Sequence, residues 1–310
     1  MYRKRTDLAL ETRELRAEKG QEDGIVVTTR QAGGVKITAM EISPAGEEAC
    51  GRAAGRYVTL EAGAVWRAEP EAFEAAVSQL AKELRAMLPD GEGCVLVAGL
   101  GNREITADSL GPKVTDRLLV TRHIKLLEKE LFASAGFGEL AALASGVLGQ
   151  TGMESAEIMA GVVKQIKPRC VIAIDALASR RLERLASTVQ LSDTGIRPGS
   201  GVSNHRAAFN RETLGVPVIS VGVPTVVDAG TLAFDLLEEL ADREGFSPDA
   251  ATMEKIVEGL QCGTGKDFFV TPKDSDALTS GAARLISAAI NLAVHEGMTQ
   301  RELAEYQSGW

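Results

Sequence analysis

Three continuous apolar segments alternate with segments of helical periodicity, and this alternation constrains the fold more than any other feature of the chain. The apolar segments are residues 93–101 (GCVLVAGLG), 169–176 (RCVIAIDA) and 216–224 (VPVISVGVP). Strands that are buried on both faces have this uniform hydrophobicity, which is typical of a parallel sheet covered by helices. We therefore predict an α/β fold with a mostly parallel sheet and helices on both faces.

An N-terminal β region is predicted before this core. Residues 25–42 contain β-branched runs around a Gly-Gly pair, which favours a hairpin, and residues 56–62 add a third candidate strand. Residues 243–267 are polar and irregular, which indicates a variable insertion. We find no internal repeat, and we predict a single domain over residues 8–310 with its N-terminal β region at 25–62.

Charge and composition restrict the partners and the compartment. The net charge of -9 and the isoelectric point near 5.1 argue against binding to nucleic acid or to an anionic membrane surface. The chain has no signal-peptide pattern, and no stretch that we would assign as a membrane span, so we expect a cytoplasmic protein. Its four cysteines are far apart and form no CxxC pair, so neither disulfides nor a zinc site is predicted.

The segment 99–112 (GLGNREITADSLGP) begins like a dinucleotide-binding loop. A GxGxxG fingerprint requires a third glycine where this chain has Glu104, and Arg122 stands where the ribose-binding acid would be expected. The dinucleotide interpretation is therefore disfavoured, and no cofactor is predicted.

Two acids lie where a catalytic pair would be expected. Asp175 ends the apolar run VIAID, and Asp108 follows the run CVLVAG by a short loop. Ligands of open parallel sheets bind at the carboxyl ends of the strands, so the two carboxylates are predicted to meet there. The alternative for Asp108 is an N-cap for a helix that has Pro112 in its first turn. The three histidines show no triad or metal-ligand spacing, so no metal site is predicted.

A glycine-rich segment, SGVLGQTGMES, precedes a predicted helix. Free amides at the start of that helix, next to Gly149 and Gly152, would suit an oxyanion or an acidic group of a substrate. The alternative is a close-packed loop in which the glycines adopt positive φ.

Several longer blocks resemble the germination proteases of endospore-forming bacteria. They include RTDLALE, GLGNREITADSLGP, VIAIDALASR, LSDTGIRPGSGVSN and GVPVISVGVPTVVDAGT, and they follow one another in a consistent order over nearly the whole chain, with the weakest resemblance around 243–262. The resemblance implies an endopeptidase of the spore core that degrades small acid-soluble spore proteins during germination. It also implies a homotetramer, a zymogen that removes its own N-terminal segment, and a core similar to that of hydrogenase maturation proteases.

The resemblance also implies specific residues. The two essential aspartates of the family fall on Asp108 and Asp175, and self-cleavage falls between Asp7 and Leu8, which makes residues 1–7 a pro-segment. The alternative interpretation of the sequence around Asp7 and Leu8 is the solvent-exposed start of a helix. An aspartate pair can hydrolyse an amide without a metal, because one carboxylate activates water and the other supplies a proton. A metal-assisted peptidase and a non-catalytic module that binds spore proteins are the alternative functions.

Overall fold

The computed structural model describes residues 4–17, 23–63, 69–198, 207–245, 255, 259 and 268–308. Within these residues, nine strands join into a single sheet. The strands are β1 Ile25–Ala32, β2 Val35–Ile42, β3 Gly55–Glu61, β4 Val95–Gly99, β5 Leu140–Ala144, β6 Cys170–Ser179, β7 Thr188–Ser192, β8 Val218–Asp228 and β9 Phe269–Val270. The helices are α1 Ala9–Ala17, α2 Gly46–Cys50, α3 Pro70–Met87, α4 Leu110–Thr115, α5 Arg122–Leu127, α6 Lys129–Ser134, α7 Leu148–Thr151, α8 Ser155–Ile166, α9 Arg211–Leu214, α10 Ala229–Glu244, α11 Ser275–Val294 and α12 Gln300–Ser308.

The sheet is mixed, so the prediction of a mostly parallel sheet is wrong, although the α/β class is confirmed. Its order is β1-β2-β3-β7-β8-β6-β4-β5, with β9 paired to β8. The strands β5, β4, β6 and β8 are parallel, whereas β1, β2, β3 and β7 are antiparallel neighbours, and β7 also joins β8 in the antiparallel sense. The apolar runs predicted only the central, doubly buried strands, because uniform hydrophobicity reports burial and carries no information about strands added at the sheet's edge.

The N-terminal β region is continuous with the main sheet. β1 and β2 pair around Gly33 and Gly34, and β2 has an alternating pattern of buried and exposed residues along most of its length. β3 then pairs with β7, which the sequence analysis did not identify as a strand. The short polar sequence TVQLS of β7 lacks a periodic pattern that is long enough to distinguish it from a loop.

Helices cover both faces of the parallel part of the sheet. On one face α3, α4 and α11 pack against alternate strand residues such as Val97, Ile172 and Ile219. On the other face α8 and α9 pack against the intervening residues, among them Leu96 and Ala173. These two clusters are the core, and the strands between them present their carboxyl ends to a common edge.

The long apolar helix α11 has the length and composition that a membrane crossing would need. Two thirds of its most apolar window is buried inside the protein (67%). There it packs along α3 and α4, so its hydrophobicity is accounted for by the core of this fold.

The helix that follows Asp108 is short, since α4 ends at Thr115 and a second helix, α5, begins only at Arg122. The predicted insertion at 243–267 begins inside α10, which ends at Glu244 with Gly245 in the left-handed conformation (φ 70°). The rest of that insertion, apart from residues 255 and 259, lies outside the described residues.

Candidate active site

Asp175 lies at the point where a neighbouring strand ends. The sequence analysis placed Asp175 at the end of its own strand, but β6 continues to Ser179. The strand that ends there is β4, whose last residue, Gly99, is paired with Ile174. The side chain of Asp175 is therefore at the carboxyl edge of β4, buried (5% exposed), with its Oδ1 accepting a hydrogen bond from Ala176 N at 3.0 Å.

Asp108 belongs to the loop between β4 and α4. It ends a short 3-10 turn, Thr106–Asp108, and the N-cap of α4 is the next residue, Ser109. The Oδ2 atom of Asp108 accepts a hydrogen bond from Asn102 N at 2.8 Å, so this carboxylate braces its own loop. Asp108 is therefore not the N-cap of α4, and its carboxylate instead stabilises the loop that precedes this helix. The side chain of Asp108 is half-buried.

The glycines of this loop allow close contact between backbone segments. Gly101 has φ 103°, and a Cβ atom there would lie 2.0 Å from the carbonyl oxygen of Asp108. A Cβ atom at Gly111 would lie 2.3 Å from the carbonyl oxygen of Leu100. A side chain at either position would collide with backbone, so the glycine-rich pattern is explained by packing and needs no bound phosphate.

Two hydrogen bonds hold the loop against the sheet. Leu100 N donates to Ile174 O at 2.8 Å, and Thr225 Oγ1 donates to Ala107 O at 2.7 Å. Thr225 is the extra residue where the register between β6 and β8 shifts, since Leu177 pairs with Pro224 but Ala178 pairs with Val226. A bulge redirects a side chain, and here it directs a hydroxyl toward the residue before Asp108.

Thr225 was not predicted as a functional residue. A signal was available, because a Pro-Thr pair interrupts the apolar run VGVPTVV. Proline lacks an N–H donor for a sheet ladder and is found at edges and bulges, so its presence in a central strand indicates an irregularity.

The two aspartates line one cavity of about 380 Å³. Asp7, from the N-terminal segment, lines the same cavity. Most of the remaining wall is apolar, with Leu100, Ile105, Leu177, Pro198, Phe209 and Phe269. The structure thus brings together both predicted catalytic residues and one residue of the predicted cleavage site, in a space that has room for water and part of a peptide.

The N-terminal segment passes the cavity and is bound by β6 and β7. The side-chain amide of Gln190 on β7 binds the segment on two sides: its Nε2 donates to Asp7 O at 3.3 Å, and its Oε1 accepts from Ala9 N at 2.6 Å. Leu8, between them, is fully buried (0% exposed). The bond between Asp7 and Leu8 is therefore held by hydrogen bonds next to the cavity, directly before α1.

The glycine-rich segment approaches the cavity only through its last residues. Gly149 lies within α7, and Gly152 ends that helix with φ 72°. The cavity is lined instead by Glu154 and Ser155, which begin α8. Glu154 and Glu157 form a reciprocal capping box that binds amides at the start of α8. Gly152 has the positive φ of the second alternative, but a Cβ atom at Gly149 or Gly152 would meet nothing within 4 Å, so close packing does not require either glycine. The substrate or oxyanion role of Gly149 and Gly152 stays a prediction.

The other candidate side chains have structural surroundings. His295 accepts a hydrogen bond from Gly138 N at its Nδ1 (3.2 Å), and its Nε2 binds Leu119 O (3.0 Å). Burial lowers the pKa of His295 to about 4 and raises the pKa of Cys170 to about 12. Among the described residues, no three His, Cys, Asp or Glu side chains are grouped so that they could hold a metal ion. His205 and Cys262 lie outside the described residues.

Comparison with known proteins identifies the family. The family model described as germination protease matches residues 4–248, which include the cavity aspartates and the segment around Asp7. The chain belongs to the germination protease family. It is 43% identical to the germination protease of Caldanaerobacter subterraneus subsp. tengcongensis, with 96% of each chain covered. It is 40% identical to that of Clostridium acetobutylicum (97% of this chain, 98% of the relative) and 35% identical to that of Bacillus subtilis (98% and 97%).

Membership of this family establishes the general activity. The chain is a protease, a hydrolase that acts on peptide bonds, and its family functions in spore germination. The cavity lined by Asp108 and Asp175 is accordingly a candidate active site, since it holds carboxylates of the type that hydrolysis of an amide requires.

Proposed function

We propose that this protease is the endopeptidase that initiates degradation of small acid-soluble spore proteins in the spore core during germination. The observation that carries the proposal is the shared cavity, in which Asp108 and Asp175 lie beside Asp7 of the chain's own N-terminal segment. A cavity whose wall includes Asp7 of the chain's own segment has room for the corresponding residue of a substrate.

In the proposed reaction, Asp108 and Asp175 act as an acid and base pair that shares one proton. The ionised carboxylate takes a proton from water, whose oxygen then bonds to the carbonyl carbon of the substrate. The protonated carboxyl gives its proton to the amide nitrogen as the C–N bond breaks, so the pair ends with one shared proton again. The reaction needs no cofactor.

We further propose that the protein is made as a zymogen that cleaves itself between Asp7 and Leu8, which makes residues 1–7 a pro-segment. The position of Asp7 in the cavity wall supports this, and so do the bonds that fix the segment beside it. While the segment is in place it fills space that a substrate would need. Activity on other proteins would therefore depend on its removal.

A homotetramer is also proposed. Several large apolar side chains of α5 and α6 are exposed, among them Leu126 (57%), Leu127 (76%) and Leu131 (52%). Grouped exposed leucines are typical of surfaces that contact another chain. Sedimentation of the purified protein would test the assembly, and a monomer at micromolar concentration would contradict it.

The test of the proposed function is digestion of a purified small acid-soluble spore protein by the full chain, followed by mass spectrometry of the fragments. We expect cleavage after an acidic residue that precedes an apolar one. The variants Asp108→Asn and Asp175→Asn should be at least about 100-fold slower, since general acid and base groups typically contribute that much. The variant His123→Asn, at an exposed position of α5, should match the original chain.

The remaining outcomes separate the alternatives. Cleavage that survives a chelator supports the aspartate pair, whereas cleavage abolished by the chelator assigns the chemistry to a bound metal. Binding of the spore protein without any cleavage would favour a non-catalytic binding module.

A further inference from the structure

Glu11, four residues beyond the bond between Asp7 and Leu8, is completely buried (0% exposed). Its carboxylate accepts hydrogen bonds from the backbone N–H groups of Arg180 (to Oε2, 2.6 Å) and Arg181 (to Oε1, 3.1 Å). A carboxylate at full burial is costly unless it is paired and hydrogen-bonded. The two amides, which follow β6 directly, supply part of that compensation.

The side chain of Arg184 supplies the opposite charge. Its Nη1 lies 3.1 Å from Oε1 of Glu11, and the guanidinium is itself buried (8% exposed). Arg184 is fixed in the 3-10 turn Leu182–Arg184, and it also binds Glu14 through Nη2 at 2.6 Å. Two amides and one guanidinium thus converge on a single carboxylate, in a geometry that favours a charged carboxylate over a neutral amide and disfavours a basic side chain.

The remaining contact to Glu11 comes from the N-terminal segment itself. Thr6 Oγ1 donates to the carboxylate of Glu11 and accepts a hydrogen bond from Leu8 N at 3.0 Å. The segment from Thr6 to Glu11 is therefore bound as a unit. Glu11 is paired with Arg184, and Asp7 lines the cavity.

We infer that Arg184, together with the backbone amides of Arg180 and Arg181, is the specificity-determining subsite that reads an acidic side chain four residues beyond the cleaved bond. This rests on the proposed function, because it takes the docked segment around Asp7 as the chain's own substrate. It adds a named recognition site for the acid at the position of Glu11. It also means that a substrate in trans has to displace Glu11 of the chain before its own acid can bind Arg184.

The test uses the full chain and synthetic peptides that copy residues 1–20, with Glu, Gln or Lys at position 11. The original chain should cleave the Glu peptide with a kcat/KM about 10-fold to 100-fold higher than the Gln peptide, the range expected for losing hydrogen bonds to a charged group. Most of the difference should appear in KM, and the Lys peptide should be cleaved still more slowly. A Glu18→Gln peptide, which removes the same charge at another position, should be cleaved like the original.

The chain-side variant is Arg184→Gln, with Arg301→Gln on the exposed face of α12 as its matched control. Arg184→Gln should reduce the preference for Glu over Gln to less than about 3-fold, whereas Arg301→Gln should preserve it. Arg184→Lys, which keeps the charge, should retain part of the preference and serves if the Gln variant does not fold. A preference that survives in Arg184→Gln, or that is absent from the original chain, overturns the inference.

A second measurement separates recognition from simple support of the fold. Glu11→Gln in the chain weakens the occupant of the subsite, so KM for the Glu peptide should fall about 3-fold to 10-fold. An unchanged or higher KM contradicts displacement of the chain's own acid. If neither the peptides nor the chain itself is cleaved under any condition, both the proposed function and the subsite are contradicted. If the peptides are cleaved without a preference for Glu over Gln, only the subsite is contradicted.

Discussion

Asp7 and Ala178 are joined by two hydrogen bonds of 2.8 Å, one from Asp7 N to Ala178 O and the other from Ala178 N to the Oδ2 atom of Asp7. Ala178 lies three residues along β6 from Asp175. One strand therefore carries a proposed catalytic carboxylate and also anchors the segment that we propose is cleaved. The residue that binds Asp7, Ala178, and the proposed catalytic residue, Asp175, are therefore held at a fixed separation on one strand.

Removing the Asp7 carboxylate should slow self-cleavage. Asp7→Ala eliminates the acceptor for Ala178 N, so we expect the N-terminal segment to be released about 10-fold more slowly and the protein to lose about 1 kcal/mol of stability. Asp7→Asn keeps an oxygen that can accept the same bond, so it should retain the stability and be cleaved faster than Asp7→Ala, although it too loses the acid that precedes the cleaved bond. Intact-mass spectrometry over time measures both variants, and equal rates for Ala and Asn would show that the bond to Ala178 is irrelevant.

A methyl group at Gly101 should disrupt the loop that carries Asp108. The position has φ 103° and no space, since the new Cβ would meet the carbonyl oxygen of Asp108 at 2.0 Å. Gly91 has nearly the same φ (101°) but nothing within 4 Å of its Cβ, which makes Gly91→Ala the matched control. Both variants carry a backbone strain of about 1 to 3 kcal/mol.

Only Gly101→Ala should lower the melting temperature further and abolish peptide cleavage. Thermal melting and the peptide assay are to be measured on both variants. If Gly91→Ala and Gly101→Ala behave alike, the close contact with Asp108 is not what requires glycine.

Acid should destabilise the protein through His295. In the folded state this histidine is neutral, because Nδ1 accepts from Gly138 N and burial lowers its pKa to about 4. In the unfolded chain its pKa is about 6.5, so the unfolded state binds the proton first as the pH falls. The contribution of His295 is complete above pH 6.5 and is lost down to about pH 4, by about 3 kcal/mol in all.

The measurement is the free energy of unfolding by urea between pH 4 and pH 7. His295→Asn should be less stable at pH 7 and should lose less stability over this range than the original chain. His123→Asn, on the exposed surface of α5, is the control and should follow the original curve. A steep pH dependence that persists unchanged in His295→Asn would assign the acid sensitivity to other groups.

The central strands were predictable from the sequence because burial on both faces leaves a continuous apolar run. The helices α3, α8, α10 and α11 also carry local signals in the sequence, either apolar periodicity or a capping residue. Asp228 is such a capping residue, since its carboxylate accepts a hydrogen bond from Thr231 N at 2.8 Å at the start of α10. The antiparallel half of the sheet was underestimated, because a strand such as β7 is short and its partner, β3, is distant along the chain.

The meeting of Asp108 and Asp175 in one cavity followed from the rule about carboxyl ends of strands, even though the strand that ends there is β4 and not β6. Contacts between residues that are distant along the chain could not be predicted from the sequence. Thr225 acts through a bulge, and Arg184 acts on a residue 173 positions earlier in the chain. Neither position has a local pattern that distinguishes it from a surface or core residue.

The most direct test of the account is the intact mass of the purified full chain during incubation, with and without a chelator, beside Asp108→Asn and Asp175→Asn. We predict that the original chain loses residues 1–7, that the chelator has no effect, and that both variants keep the segment. Asn preserves the size of each side chain and an oxygen that can accept a hydrogen bond, so the fold should persist and only the chemistry should be lost. Loss of residues 1–7 at the original rate in either variant would contradict the catalytic role of that aspartate.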